Sequence, residues 1–231
     1  MNIKQSIAYG FIAVILALAF TACSKSGTSA GSGGGGKSLN SATELKEYLD
    51  KQPANSPDNP IKVAMKANDA MLKNIATVIN DAGKYVSLDL SGSPLTEIPG
   101  WAFQGCTPLV GITIPNGVTG IDVFAFQYCN NLAGITMPNS VTYIAENAFD
   151  RCTSLSSVTI PNSVTEIVYD AFQGCTSLIS VTFQGTIASD NFGSRYSSPF
   201  SGDLKEKYLA GGIGTYTTTA PVGDNSKWTK Q

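Results

Sequence analysis

"AFQGCTPLVGITIPNGVTGI" occupies residues 102–121. The same phrase returns as "AFQYCNNLAGITMPNSVTYI" at 125–144, as "AFDRCTSLSSVTIPNSVTEI" at 148–167 and, shortened, as "AFQGCTSLISVTF" at 171–183. Cys106, Cys129, Cys152 and Cys175 mark the period, each step being 23 residues. A degenerate earlier copy, "LDLSGSPLTEIPGWAFQGC", starts at Leu88 with one residue of slippage. A fixed period in this range is the mark of a solenoid, whose units bury their apolar residues only by stacking on one another.

The unit has a readable path. Ile112-Thr113-Ile114 alternates as a strand does, and Pro115-Asn116 supplies a turn. Val118 and Ile121 return to the core, and Ala125 and Phe126 close the coil. Stacked coils should align these strands in a parallel sheet at about 4.8 Å spacing.

The in-phase recurrence of Ala-Phe-x-x-Cys-x-x-Leu and Pro-Asn-Ser-Val-Thr through Leu88–Phe183 resembles the BspA-like class of bacterial leucine-rich repeats. Gly117, Ser140 and Ser163 stand where the better-known repeat form carries asparagine, so no regular asparagine ladder or wide horseshoe is expected. The resemblance implies a cell-surface protein that binds host matrix or plasma proteins and promotes attachment.

The expected fold is therefore a leucine-rich-repeat solenoid, a short stack of four to five coils with a parallel strand face over 88–183. A helix-strand-helix-strand unit at 41–87 should cover its first open end. Ser41 with Glu44 forms a capping-box pattern, and Leu45, Tyr48 and Leu49 share one helical face. "IKVAMKA" alternates as a strand, Asn68 caps a second helix that Gly83 ends, and "YVSLDLS" is strand-like again. Strand, helix, strand is a small βαβ-like unit. At 184–231 the repeat dissolves into a loop-like stretch, a short helix capped by Asp203, and the strand-prone "TYTTT". This mixed α/β segment should cap the last coil, with Tyr208 or Trp228 lying on it.

The start of the chain reads as an address. Lys4, an apolar run from Ile7 to Phe20 and Ala22-Cys23 describe a secretory signal over 1–22. "FTAC" resembles a lipobox, with Cys23 the lipidated residue. The Gly/Ser-rich stretch that follows, within 23–40, is a flexible tether spanning roughly 20 Å on average. Export and anchoring at the outer membrane are the expected localisation.

Composition narrows the chemistry. The chain of 231 residues has a net charge of -2, 14% charged residues and no histidine. Nucleic acid is not an expected partner, because no basic patch exists to neutralise phosphates. Without histidine, the commonest general base and metal ligand is missing. No enzyme activity, cofactor or metal is expected, and the chain is expected to be monomeric.

The four repeat cysteines invite three readings: buried thiols, disulfides or zinc. Their place between Phe and Leu favours buried thiols. No C-x-x-C pair offers a zinc site. The outward strand positions form a small, uncharged, threonine-striped face. Thr113, Thr136, Thr159 and Thr182, with Ser157 and Ser180 beside them, are the candidate protein-binding residues. Threonine also suits a pleated, half-exposed surface for reasons of packing alone. Asp122, Glu146, Asp150, Arg151, Glu166 and Asp170 read as a solvated outer face.

Overall fold

The structure is a computed structural model that describes residues 38–193 and 197–231. The expected signal segment and Cys23 lie outside the described residues.

The chain joins the fold at Leu39, which is buried and bridges Met65. The backbone N–H of Leu39 donates to the Ala64 carbonyl at 3.1 Å, and Lys66 N–H donates to the Leu39 carbonyl at 2.8 Å. Helix α1 (Ala42–Asp50) follows. Ser41 caps it by accepting from Glu44 N–H at 3.1 Å, and the Glu44 carboxylate accepts from Asn40 N–H at 2.9 Å. Leu45 and Leu49 are buried, whereas Tyr48 stays exposed.

Strand β1 (Ile61–Ala64), helix α2 (Asp69–Ala82) and parallel strand β2 (Val86–Asp89) form the βαβ unit. Asn68 Oδ1 caps α2 by accepting from Met71 N–H, and Gly83 closes it at φ 58°, a left-handed value that costs glycine little. The unit does more than cover an end. It starts the front sheet, because β2 pairs in parallel with the first repeat strand, β4 (Leu109–Thr113).

Each coil then runs from a front strand through the Pro-Asn turn to a two-residue back strand. The back strands β3 (Glu97–Ile98), β5 (Gly120–Ile121), β7 (Tyr143–Ile144) and β9 (Glu166–Ile167) form one continuous parallel sheet. The later front strands are β6 (Gly134–Thr136), β8 (Ser157–Ile160) and β10 (Ser180–Phe183). They do not continue as one parallel sheet. The front divides into β1-β2-β4-β6 and a second sheet of β8, β10, β11 (Gly214–Thr217) and β12 (Thr229–Lys230). The division falls beside β6, the shortest front strand, which carries Gly134. Ile135 and Met137 are accordingly only partly buried, while their counterparts Ile112 and Ile114 are each 3% exposed.

Phe103, Phe126, Phe149 and Phe172 stack through the core with centroids 5.3, 5.1 and 4.9 Å apart and planes within 10°. The Cys106, Cys129, Cys152 and Cys175 thiols are free and buried beside them. Three donate to the phenylalanine carbonyl of the preceding coil: Cys129 to Phe103 at 3.0 Å, Cys152 to Phe126 at 3.2 Å, Cys175 to Phe149 at 3.1 Å. Cys106 has α2 in place of a coil, and its sulfur lies 3.7 Å from the Ala76 carbonyl.

Hydroxyls replace the asparagine ladder. Ser140 Oγ donates to the Val118 carbonyl and Ser163 Oγ to the Val141 carbonyl, both at 2.6 Å. Thr119, Thr142 and Thr165 each donate to the carbonyl one coil back.

The repeat does not dissolve at Phe183. Phe192 bridges Ile167 and Phe200 bridges Phe172, so these two residues supply a further set of corners. The helical segment α3 (Leu204–Gly211) then lays Tyr208 on Phe183 at 4.2 Å. Tyr208 OH accepts from Ile187 N–H at 2.8 Å and donates to the Gly185 carbonyl at 3.0 Å. Asp203 does not cap α3 as expected. Its carboxylate instead accepts from Trp228 N–H at 2.8 Å, tying the buried Trp228 to the end of the stack.

Candidate functional site

The front strands bring the expected residues into register, in two groups. Thr113 pairs with Thr136 in the first sheet. In the second, Ser157 pairs with Ser180 and Thr159 with Thr182. Thr136, Ser157 and Thr159 are exposed, while Thr113, Ser180 and Thr182 are half-buried. Thr182 is shielded by Thr215 of β11, its hydroxyl 2.9 Å from the Thr215 hydroxyl. The strand-prone "TYTTT" therefore widens the face by one antiparallel strand, an extension that repeat phasing alone cannot reveal.

The face carries charges on its N-terminal flank. Asp89 pairs with Thr113, and Lys62 pairs with Ser87 there. At the other end Thr229 pairs with Thr217 on this face, whereas Lys230 pairs with the buried Tyr216 on the opposite face and donates to the Gly211 carbonyl at 2.7 Å. Between the two ends lies a strip of hydroxyls over the division of the sheet, with Ile135 and Met137 partly uncovered. Such a strip can hydrogen-bond a partner's backbone or polar side chains without first stripping water from a charge.

The expected outer face is less uniform than its sequence. Arg151 and Glu166 are exposed, and Asp122, Glu146 and Asp170 are half-buried, but Asp150 is buried at 8%. Asp150 shares a phase with Gln104, Gln127 and Gln173, and it forms a polar ladder with the first two. Gln104 Nε2 donates to Gln127 Oε1 at 2.7 Å, and Gln127 Nε2 donates to Asp150 Oδ2 at 2.9 Å. A charge read from sequence as solvated is thus a ladder acceptor.

Two corners per coil lie in the left-handed region. One runs through Trp101, Phe124, Asn147 and Asp170 at φ 58°, 56°, 53° and 59°; the other includes Tyr128 and Arg151 at 60° and 57°. Asn and Asp tolerate this conformation, whereas bulky residues there cost on the order of 1 kcal/mol or more. The Arg151 guanidinium lies over the Tyr128 ring at 5.4 Å. Trp101 and Phe124 stack at 5.7 Å with a 25° interplanar angle. The repeat consensus does not single them out. The signal that could is the change at one phase from Trp and Phe to Asn and Asp.

The thiols are unreactive by environment. Burial pushes Cys106 and Cys175 up to about 12 and raises Cys129 and Cys152 well above the ordinary thiol value. Among the described residues no group of three or more acidic or cysteine side chains could hold a metal ion.

A family model for the BspA type leucine rich repeat region matches residues 81–195 in six copies. Residues 81–195 are BspA-type leucine-rich repeats. The match begins inside α2 and ends within the segment that carries Phe192, in accord with the extra corners described above. No curated protein matches the chain. Solved structures similar to part of this chain include a leucine rich cell surface protein from Faecalibacterium prausnitzii A2-165. It is 37% identical over 46% of this chain and 26% of its own, with a TM-score of 0.36. A leucine-rich repeat protein from Bacteroides ovatus ATCC 8483 is 33% identical over 43% of this chain and 25% of its own, TM-score 0.36. A T. pallidum leucine rich repeat protein is 32% identical over 53% of this chain and 58% of its own, TM-score 0.41. The chain therefore spans about a quarter of the length of the first two.

Proposed function

We propose that this chain is an exported, lipid-anchored surface protein whose BspA-type repeats bind other proteins through the front strands. Host matrix or plasma proteins, or the surfaces of other bacteria, are the partners this reading names. The observation that carries it is the in-register hydroxyl strip of Thr113, Thr136, Thr159 and Thr182 with Ser157 and Ser180, neutral in its middle and backed by a rigid core. Repeat arrays present such extended faces for contact, and pre-organised residues lose little entropy on binding.

The anchor belongs to the same reading. "FTAC" places Cys23 before a Gly/Ser stretch, and the chain enters the fold at Leu39, on the edge of β1. Among the described residues no helix is long and apolar enough to cross a membrane. Attachment through Cys23 acyl chains would hold the fold at the outer membrane and leave the strand face accessible.

Two measurements test the two halves. Metabolic labelling with a fatty-acid analogue should tag the wild type and not Cys23→Ser, and equal labelling of both defeats the anchor. Purified chain should bind saturably to at least one of immobilised fibronectin, fibrinogen and collagen. Binding to none of them would favour the second reading, a structural or antigenic coat protein with no specific ligand.

A further inference from the structure

We infer that the corner formed by Trp101 and Phe124 is a binding platform for a neutral saccharide, on a surface separate from the front strands. Trp101 is 50% exposed, unusually open for a residue of its size, and it stands stacked on Phe124. Both side chains are held at positive φ, where the next two coils use Asn147 and Asp170. Backbone preference therefore does not account for the aromatic residues, and neither does core packing, since the core stack is the separate Phe103–Phe126–Phe149 series.

The corner is fixed by coil-to-coil hydrogen bonds. Trp101 N–H donates to the Val123 carbonyl and Phe124 N–H to the Glu146 carbonyl, both at 3.1 Å. The backbone that carries the stacked rings is thus set before any ligand arrives, which lowers the cost of binding. Gly100, beside Trp101, lets the turn pack closely on the next coil. A Cβ there would meet the Val123 carbonyl oxygen at 3.1 Å and lie 3.7 Å from Asp122 Oδ2. The Asp122 carboxylate therefore lies beside Gly100, the residue before Trp101. Gln104 follows Trp101 in the same turn and is exposed, its amide joined to the Gln127–Asp150 ladder.

Charge selects the ligand class. Residues 85–150 contain no lysine or arginine, but they include Asp89, Glu97, Asp122, Glu146 and Asp150. Within the stretch that forms the corner, an anionic ligand meets carboxylates and no cation. A flat aromatic face with carboxylate and amide groups nearby suits a pyranose ring. Its axial C–H groups lie on the indole, and its equatorial hydroxyls reach polar neighbours.

The chain has two tryptophans, and Trp228 is buried with its Nε1–H on the Ser201 carbonyl at 3.1 Å. Emission changes on ligand addition therefore report on Trp101. The full chain is titrated with cellohexaose, xylohexaose, mannohexaose, laminarihexaose and maltohexaose, followed by fluorescence and by calorimetry. At least one should give saturable binding by both methods. Trp101→Ala should weaken it tenfold or more by calorimetry, while Thr136→Lys/Thr159→Lys leaves it unchanged. Binding of none of the five overturns the inference, as does a Trp101→Ala loss below tenfold. It is equally overturned if the oligosaccharides are silent and Trp101→Ala instead abolishes capture of fibronectin or fibrinogen, which would make the corner a protein contact.

Discussion

The Phe200 ring lies 4.7 Å from the Phe172 ring with planes 3° apart, extending the core stack by one member from outside the regular repeats. Phe172 N–H donates to the Pro199 carbonyl at 2.7 Å, as Phe149 N–H does to Ala171 one coil earlier. The segment after β10 is therefore a coil with an insertion: Phe200 comes 28 residues after Phe172, where the repeat would place its equivalent at 23. Its aromatic residue covers what would otherwise be an open apolar end.

Phe200→Ala should consequently destabilise the chain about as much as Phe149→Ala in the middle of the stack. Both remove a buried phenylalanine, at a cost of about 3–5 kcal/mol. Urea denaturation of the two variants checks this, and a Phe200→Ala loss under about 1 kcal/mol, the range of ordinary surface changes, would mean the end of the stack is not sealed there.

The serine ladder makes a position-specific prediction. Ser140→Ala and Ser163→Ala each delete a hydroxyl bonded to a carbonyl one coil back, which should cost on the order of 1 kcal/mol. Gly117 occupies the same phase, but a Cβ there would lie 2.8 Å from the Leu95 carbonyl oxygen. Gly117→Ser should therefore destabilise instead of completing the ladder. Thermal melts of the three variants decide it, and a Gly117→Ser chain more stable than wild type would be inconsistent with this geometry.

The thiols link stability to pH. Burial raises the folded-state values of Cys106 and Cys175 from 9.0 to about 12, so the fold favours the neutral thiol. The associated stability is complete below pH 9 and is lost as pH rises from there toward 12. Each such group contributes a slope of up to about 1.4 kcal/mol per pH unit in that window. Tyr208 and Tyr216, also raised by burial, act in the same direction. Melting temperature should fall between pH 9 and 11 in the wild type, and less steeply in Cys106→Ala/Cys175→Ala. Identical slopes would remove the thiols from the account. At pH 8 the four repeat cysteines should resist Ellman's reagent until the chain is unfolded.

Much of this was legible in the sequence because a stacked coil repeats its environment. Phe126, Cys129, Leu132, Val141 and Ile144 are all buried, as their shared phase requires. Helix ends were legible where a cap depends on neighbours in sequence, as at Ser41, Asn68 and Gly83. Features decided by contacts across the fold were not. The front sheet divides beside Gly134, Asp150 is drawn inward by Gln127, and Asp203 serves Trp228 in place of its own helix. The neutrality of the strand face was readable within the repeats. Asp89 and Lys62, which bound it on one side, arrive from the N-terminal unit.

The most direct test of the proposed function changes the middle of that face. Thr136 and Thr159 are exposed on either side of the sheet division, so Thr136→Lys/Thr159→Lys adds two charges where the strip is neutral. Exposed substitutions usually move stability by less than about 0.5 kcal/mol, so the fold should persist and a melt verifies that it does. Asn139→Lys/Asn162→Lys, at exposed positions of the following turns, adds the same charge away from the strip. Binding to whichever of fibronectin, fibrinogen or collagen the wild type captures is measured for both. The account predicts at least a tenfold loss for the strand-face variant and wild-type binding for the turn variant. Wild-type affinity in the strand-face variant would contradict it.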